Sequence, residues 1–228
     1  MKTLLLWDID GTLVTTPRAG HASVRRALAK SHGIDGDVEE LDFHGATDPL
    51  IFGMLKDKFE IEDHDDARHR FYEAYFEALT DELNSRPNVR HLGVLERLEE
   101  AHARPDVAQG LLTGNVPRGA QIKLEHYKLW HYFEFGAFGD DGATRNDLGP
   151  HALRRAAQAH GVEFDPAHTW VIGDTPHDIA CGQAIGANTI ALATGKYSVE
   201  ELAAHQPTAA LADLQDGPGF WRLIDGVD

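Results

Sequence analysis

The sequence predicts an α/β protein with a parallel sheet and a helical block inserted after the first strand. Residues 4–10 begin as a continuous apolar run, which is typical of a strand buried on both faces of a parallel sheet. Residues 107–112 and 169–172 also have strand character, and each of the three segments runs directly into polar residues. Residues 17–84, between the first two segments, read as helices without a clear strand.

The first strand ends in the stretch Asp8-Ile9-Asp10-Gly11-Thr12. Period-two strand geometry places the Asp8 and Asp10 side chains on one side of the strand and Ile9 on the other. Ligand sites of open α/β sheets lie at the carboxyl ends of the strands, so this stretch is a candidate ligand site. Two carboxylates this close repel each other unless a cation binds, and clustered oxygens suit Mg²⁺. An acidic turn without chemistry would give the same residues.

The overall composition excludes several classes of partner. The chain has 228 residues and a net charge of −16, with histidine counted as neutral. This acidity argues against a nucleic-acid partner, which requires clustered lysine and arginine. Cys181 is the single cysteine, so no intramolecular disulfide or cysteine-rich zinc site is expected. The apolar run before Asp8 is too short for a signal peptide or a membrane span, which predicts a cytoplasmic protein without a membrane partner.

The helical block contains an aromatic stripe and a bend. Aromatic residues recur at helical spacing in residues 67–83, which favours core packing over contact with a cofactor. Upstream of this stripe, Gly45 favours a bend, and Thr47 or Asp48 can cap a following helix. Pro49 fits the first position of that helix. Helix capping is therefore a complete explanation of this stretch.

The two later strands also end in residues that can carry chemistry. One runs into Thr113, Gly114 and Asn115, which place a hydroxyl and an amide at the sheet edge or simply begin a helix. The other runs into Asp174, with Asp178 four residues further on. At a helix start this spacing places both carboxylates on one side. Asp178 could instead be a first-turn residue favoured by the helix dipole.

These strand ends resemble signatures of one enzyme family. The stretch from Asp8 to Thr12 resembles the first signature of the haloacid-dehalogenase-like hydrolase superfamily. The strand that ends at Thr113 is similar to the second signature. Asp174 and Asp178 are similar to the fourth, an acidic metal-binding loop. The signatures follow one another in family order and span most of the chain.

The resemblance implies a doubly wound, Rossmann-like parallel sheet with an inserted helical cap, as in the phosphoglycolate-phosphatase-like branch of the family. The core domain would comprise residues 1–16 and 85–228, and the cap domain residues 17–84. Hinges are expected near residues 15–18 and 86–88.

The resemblance also implies roles for the four aspartates. Asp8 would be the nucleophile that forms an aspartyl-phosphate, and Asp10 would be the general acid and base. The cofactor Mg²⁺ would be bound by the Asp8 carboxylate, the Asp10 backbone carbonyl and Asp174. Asp178 would complete this metal site by supporting the ligands.

Further residues would bind the substrate. By the same resemblance, Thr113 and the backbone amides of Gly11 and Thr12 would hold the phosphoryl oxygens, with Gly114 and Asn115 beside them. The stretch around Gly45 resembles a Gly-x-Thr-Asp segment that faces the catalytic site in such caps. His44 and Thr47 would then recognise the substrate, as an alternative to capping alone.

The third signature departs from the family pattern. The family normally has a lysine shortly before a helix, whereas this chain has Arg145 in the corresponding turn. The nearest lysines, Lys123 and Lys128, lie upstream in a predicted helix. Arg145 is therefore the candidate for the cation that offsets the phosphate and nucleophile charges, although a guanidinium is a planar fork and an ammonium a point charge. The alternative is a solvated turn residue.

The residue type at position 10 separates the reactions of the family. Its dehalogenases lack an aspartate there, whereas its phosphatases and phosphomutases have one, so Asp10 favours phosphoryl transfer. The resemblance predicts a Mg²⁺-dependent phosphomonoester hydrolase that acts on a small phosphorylated metabolite as a monomer or homodimer. A sugar phosphomutase on the same fold and a non-catalytic metal- or phosphate-binding protein are the alternatives.

Overall fold

Eight β-strands form two sheets in the part of the chain that the structure describes. The structure is a computed structural model, and it describes residues 2–16, 18–62, 64–85 and 89–226. The strands are β1 Thr3–Trp7, β2 Val14–Thr15, β3 Val89–Arg90, β4 Val107–Leu112, β5 Gly136–Ala137, β6 Thr169–Gly173, β7 Asn188–Leu192 and β8 Ala209–Leu211.

Helices connect these strands and surround the larger sheet. The α-helices are α1 Ala19–His32, α2 Asp48–Phe59, α3 Asp65–Ser85, α4 Val94–Ala103, α5 Pro117–His126, α6 Leu148–His160, α7 Pro176–Ala184, α8 Val199–Ala203 and α9 Gly217–Asp225. Short 3₁₀ helices cover Trp130–Tyr132, Gly139–Asp141, Arg145–Asp147 and Pro166–His168. No helix of the described residues is long and apolar enough to cross a membrane.

The larger sheet is parallel and has the strand order β5-β4-β1-β6-β7-β8. Its strand β1 is central and fully buried, as its continuous apolar sequence predicts. Leu5 and Trp7 pack against helices α4, α5 and α9, while Leu4 and Leu6 pack on the opposite face with α6 and α7. Helices on both faces of a parallel sheet confirm the doubly wound α/β fold.

Three helices lie between strands β2 and β3. These two strands pair antiparallel, with Val14 opposite Arg90 and Thr15 opposite Val89, so the chain leaves and re-enters the core side by side. Helices α1 and α3 pack together along this insertion. Phe71, Tyr75 and Phe76 of the aromatic stripe are buried in the core cluster, as expected, and Phe71 and Tyr75 also line the cavity described below. Residue 17 and residues 86–88 of the expected hinges lie outside the described residues.

Two element boundaries differ from the sequence-based expectation. Strand β1 ends at Trp7 and not at residue 10, because the chain turns sharply at Gly11, whose amide donates to the Val14 carbonyl at 2.8 Å. The C-terminal segment is a helix and not a simple turn. Asp216 caps this helix through the amide of Gly219 at 3.0 Å, and Phe220 stacks on Trp7.

Candidate active site

A cluster of buried carboxylates lies at the carboxyl ends of the central strands β1 and β6. One carboxylate oxygen each from Asp8, Asp174 and Asp178 lies within 4.8 Å of the others. All three side chains are almost inaccessible to solvent. The topology explains the cluster, since β1 and β6 are adjacent and parallel and their following loops meet at one edge of the sheet.

The loop after β1 is shaped to fit against Asp174. Gly11 has a φ of +84°, and a Cβ atom at this position would lie 2.2 Å from Asp174 Oδ2. Any other residue would therefore be strained and would collide with the carboxylate. The next residue, Thr12, is fully buried and its hydroxyl donates to Asp174 Oδ1 at 3.2 Å. Gly11 and Thr12 thus position an acidic ligand from the neighbouring strand.

Asp178 is held by its own helix and by Arg145. Its Oδ2 atom accepts hydrogen bonds from the Thr175 amide at 3.0 Å and the Thr175 hydroxyl at 2.7 Å, which forms a capping box at the start of α7. Its Oδ1 atom accepts from Arg145 Nη2 at 2.5 Å. Both oxygens of Asp178 therefore have protein partners. This arrangement suits a residue that orients the other acidic groups more than one that binds a metal directly.

Arg145 lies inside the site and is not a solvated turn residue. Its side chain is 6% exposed, and Nη2 lies 2.6 Å from Asp8 Oδ1. It begins the 3₁₀ helix Arg145–Asp147. Burial opposes its charge, but attraction to Asp178 and Asp8 outweighs this and raises the pKa of Arg145. The chain thus places a permanent cation next to the candidate nucleophile, as the departure in the third signature led us to expect.

The acidic groups carry more negative charge than Arg145 can offset. Burial, together with repulsion from Asp178 and Asp10, raises the pKa of Asp8 to about 7, although Arg145 lowers it. Burial and repulsion from Asp178 and Asp8 raise the pKa of Asp174 to about 8. Burial and mutual repulsion therefore favour the protonated forms of these carboxyls, and a bound cation would favour the ionised forms.

The residues present fit a hard divalent cation. The donors are all oxygen atoms, which Mg²⁺ prefers over the nitrogen and sulfur ligands typical of zinc. The Asp8 and Asp174 carboxylates approach from two adjacent strands within the 4.8 Å cluster. The excess of negative charge is the electrostatic condition that a divalent cation would relieve.

Asp8 and Asp10 both line the cavity described below while Ile9 is buried in the core, so the two aspartates face one side as expected. The Asp10 side chain nevertheless lies outside the cluster of Asp8, Asp174 and Asp178. Its Oδ2 atom instead accepts from Lys123 Nζ at 2.6 Å and from Asn115 Nδ2 at 2.7 Å. Lys123 also donates to Asn115 Oδ1 at 2.6 Å. The contribution expected of Asp10 to a metal site was its backbone carbonyl, which this side-chain position leaves unaffected.

Lys123 is a site residue that the sequence interpretation missed. The sequence interpretation considered it as an upstream lysine within a helix and as the site cation only if Arg145 pointed into solvent. Its side chain is 6% exposed and reaches Asp10, although Arg145 is also buried in the site. It lies on the buried face of α5 together with Ala120 and Leu124. A lysine at a core-facing helical position was the available signal, because lysine is almost never buried without a partner.

The residues after β4 occupy different positions around the site. Thr113 is fully buried, and its hydroxyl accepts from the amide nitrogen of the Asn115 side chain at 2.9 Å. Gly114 and Asn115 line the cavity described below. Arg145 Nη1 lies 3.2 Å from the position of a Cβ atom at Gly114, so a larger residue there would crowd the guanidinium.

The loop around Gly45 lies against the site. Gly45 has a φ of +68°, and a Cβ atom there would lie 2.5 Å from the His177 ring and 3.2 Å from the Thr175 hydroxyl. The Asp48 amide donates to the Gly114 carbonyl at 2.7 Å, and the Asp48 carboxylate accepts from the Val116 amide at 2.8 Å. The inserted helices are thus joined directly to the loop after β4.

Thr47 and His44 have different surroundings in this loop. Thr47 is buried and accepts from the Leu50 amide at 3.3 Å, so it caps helix α2. His44 is exposed, lines the cavity and hydrogen-bonds to Asp42 at 2.6 Å. Asp42 also forms an ion pair with Lys196, from the loop after β7, at 3.1 Å.

One cavity of about 440 Å³ connects the acidic cluster with the inserted helices. Asp8, Asp10, Asp174, Lys123 and Arg145 all line it. Its volume lies within the range of small-molecule sites, which is roughly 300–1,000 Å³.

The buried carboxylates lie at the carboxyl ends of the central strands of a parallel α/β sheet, at the point where the strand order reverses. Open α/β sheets bind their ligands at this point. The haloacid dehalogenase-like hydrolase model matches residues 5–183, and the chain belongs to this family. The expected family and fold are thereby confirmed, and the chain is an enzyme of the hydrolase class.

Two curated relatives and one solved structure illustrate the similarity. The chain is 28% identical to "Probable phosphatase IndB" of Dickeya dadantii, over 91% of this chain and 88% of the relative. It is 25% identical to "Phosphoglycolate phosphatase" of Psychrobacter arcticus, over 98% and 95% of the two chains. A hydrolase from Pseudomonas syringae has a similar fold, with a TM-score of 0.70, 20% identity and 99% coverage of both chains.

Proposed function

We propose that this hydrolase is a Mg²⁺-dependent phosphatase that cleaves a small phosphate monoester through an aspartyl-phosphate on Asp8. The observation that carries the proposal is the position of Asp8. It lies at the cavity wall, 2.6 Å from the Arg145 guanidinium and within the same cluster as Asp174. A carboxylate beside a fixed cation and a candidate metal site is suited to attack phosphorus, because the dianionic phosphoryl group must first be neutralised.

In this proposal the protein residues divide the reaction between them. Asp8 attacks phosphorus in line with the leaving oxygen, and Asp10 protonates that oxygen before activating the water that hydrolyses the intermediate. Arg145 orients Asp8 and the phosphoryl group, since its nitrogens can bridge the two. A Mg²⁺ ion held by Asp8, Asp174 and the Asp10 carbonyl would supply the remaining positive charge.

The phosphoryl oxygens would be received by the loops after β1 and β4. The amides of Gly11 and Thr12 and the Thr113 hydroxyl are the proposed donors, with Gly114 and Asn115 forming the adjacent wall. His44 lines the cavity and is proposed to contact the substrate. Thr47 is proposed to contribute by fixing the start of α2 and thereby the loop that carries His44.

Residues 17–84 are proposed to act as a cap over the core formed by residues 1–16 and 85–228. The antiparallel pair β2–β3 brings the two connections together, which is the geometry needed for a hinged insertion. The Asp48 hydrogen bonds to the loop after β4 join the proposed cap to the core.

Lys123 is proposed to position Asp10 for proton transfer. Because Lys123 and Asn115 both donate to Oδ2, the Oδ1 atom of Asp10 is the one available to exchange a proton with the leaving oxygen. The substitution Lys123→Met should therefore impair the protonation of the leaving group more than the attack on phosphorus. We expect kcat/KM to fall at least about tenfold for an alkyl phosphate, which is part of the roughly 100- to 10,000-fold that general acid–base catalysis contributes.

A comparison of leaving groups distinguishes this role from a structural one. Because p-nitrophenolate leaves readily without protonation, Lys123→Met should affect p-nitrophenyl phosphate much less than the alkyl phosphate. Lys128→Met, which changes an exposed lysine just beyond the same helix, is the matched control and should affect neither. Equal losses for both substrates in Lys123→Met would contradict the positioning role.

The metal dependence is tested by thermal unfolding and phosphate release. Mg²⁺ should raise the Tm of EDTA-treated protein by several degrees at a hundredfold excess over Kd, since such binding stabilises by about 2.7 kcal/mol. The shift should be much smaller in Asp174→Asn and unchanged in the control Asp57→Asn, whose carboxylate is exposed. Turnover should cease in EDTA and return with Mg²⁺. Full activity after dialysis against EDTA would contradict the proposed dependence on Mg²⁺.

The alternatives predict different products from the same assay. A sugar phosphomutase would interconvert phosphate isomers without releasing phosphate, because its aspartyl-phosphate must be shielded from water. A metal- or phosphate-binding protein would bind these ions without turnover. Release of inorganic phosphate from a screen of phosphorylated metabolites favours the phosphatase over both.

A further inference from the structure

We propose that the substrate is a phosphate monoester whose alcohol carries a flat unsaturated ring, as in a nucleoside monophosphate. This inference rests on the proposed phosphatase function and concerns the part of the cavity away from the acidic cluster. Compact substrates, such as inorganic pyrophosphate or a phosphorylated hydroxy acid, would leave that part of the cavity filled only by water.

The inserted helices supply a largely apolar wall to the cavity. Besides Ala46, six apolar or aromatic residues of residues 18–85 line it: Val24, Phe43, Ile51, Phe71, Tyr72 and Tyr75. In the proposed reaction, a phosphoryl group and its ligands would occupy only the end formed by the core loops. The remaining volume of the 440 Å³ cavity therefore faces side chains that favour an apolar leaving group.

The aromatic residues of this wall form a cluster at the cavity, in which Phe43 and Tyr72 are half-buried and Phe71 and Tyr75 are buried. Phe43 stacks on His21, with ring centroids 4.3 Å apart and planes at 22°, and both residues line the cavity. Phe71 and Tyr75 are stacked at 6.2 Å with nearly parallel planes. Tyr72 meets Phe71 edge to face at 5.6 Å. A flat ring can add to such a cluster by offset stacking or by edge contacts, whereas an aliphatic acid cannot.

The charges around the wall disfavour a second anionic group on the substrate. Of the cations that line the cavity, Lys123 and Arg145 are bound to carboxylates of the catalytic end, and Lys196 is paired with Asp42 at 3.1 Å. Arg18 is exposed to solvent, where an ion pair with an anionic group of the substrate would contribute little binding free energy.

Asp48 adds a carboxylate to the same cavity. It would repel a substrate carboxylate or a second phosphate, and it could accept a hydrogen bond from an N–H group of a heterocyclic ring. The wall thus combines ring surfaces with an acceptor, which matches a nucleobase better than a compact anion.

A substrate panel tests the inference. AMP and UMP represent ring-bearing esters, and glycerol phosphate, phosphoglycolate and inorganic pyrophosphate represent compact substrates. We expect kcat/KM for the ring-bearing esters to exceed that for the compact substrates by about tenfold or more. Apolar pocket contacts commonly produce differences of this size in kcat/KM between two substrates. Equal or higher values for the compact substrates would overturn the inference while leaving the phosphatase function intact. No phosphate release from any substrate would overturn the phosphatase function itself.

A matched pair of variants tests whether the aromatic wall causes the preference for ring-bearing esters. Phe43→Leu removes a ring that lines the cavity but keeps an apolar side chain. Phe59→Leu makes the same change at a half-buried residue of the insertion that does not line it. Phe43→Leu should raise KM for AMP and UMP several-fold, with kcat/KM for glycerol phosphate unchanged. Phe59→Leu should behave as the wild type. If Phe43→Leu keeps the full preference for ring-bearing esters, with an unchanged Tm, the aromatic wall is not the recognition surface.

Discussion

Asp8→Asn is expected to abolish turnover, with kcat at least about 1000-fold below that of the wild type. An amide oxygen is a far weaker nucleophile than a carboxylate and cannot form the aspartyl-phosphate. The shape of the side chain is otherwise kept, so binding of the substrate should persist. The measurement is phosphate release under saturating substrate and Mg²⁺.

The fold of this variant should be intact. Burial, with repulsion from Asp178 and Asp10, raises the pKa of Asp8 to about 7. Compared with the unfolded chain, the folded protein therefore disfavours the charged form of this carboxyl. A neutral amide therefore removes an unfavourable charge above pH 7, and the Tm of the metal-free variant at pH 8 should equal or exceed that of the wild type. Turnover retained in Asp8→Asn would show that another residue attacks phosphorus.

Arg145→Ala is expected to lower both activity and stability. Loss of the guanidinium removes the cation beside Asp8 and the phosphoryl group, so kcat/KM should fall more than tenfold. This corresponds to a loss of about 1.4 kcal/mol or more of transition-state stabilisation. The change also leaves Asp8 and Asp178 buried without their partner, which in other proteins costs about 3–5 kcal/mol. Kinetics must therefore be measured well below the Tm of the variant.

Two further variants separate these effects. Arg145→Lys keeps the charge but loses the planar fork, so it should recover part of the activity and part of the stability. Arg154→Ala, at an exposed arginine on α6, is the matched control and should change neither. Wild-type kcat/KM in folded Arg145→Ala would contradict the role of this cation.

The sequence was sufficient to predict the fold and the acidic cluster for a physical reason. Asp8 and Asp174 directly follow buried strands, and parallel strands bring their carboxyl ends to one edge of the sheet whatever their spacing in the chain. Arg145 could be anticipated because the cluster needs a cation and no lysine lies between Lys128 and Asp174.

The remainder of the site depends on packing that the sequence does not display. Asp10 faces the same cavity as Asp8, but its carboxylate is bound by Lys123, a contact that the sequence pattern does not show. Lys123 reaches the site from a helix whose orientation is set by tertiary contacts. Asp48 was interpreted as a helix cap, and its contact with the Val116 amide joins two segments far apart in the chain. Short-range patterns do not predict contacts of this kind.

The most direct test of the account is identification of the residue that becomes phosphorylated during turnover. Wild-type protein would be mixed with substrate and Mg²⁺, quenched in acid within the first turnovers and analysed by peptide mass spectrometry. We expect a phosphoryl adduct on Asp8 that forms before free phosphate and is absent from Asp8→Asn. Phosphate release without an adduct on Asp8, or with the adduct on another residue, would contradict the proposed mechanism.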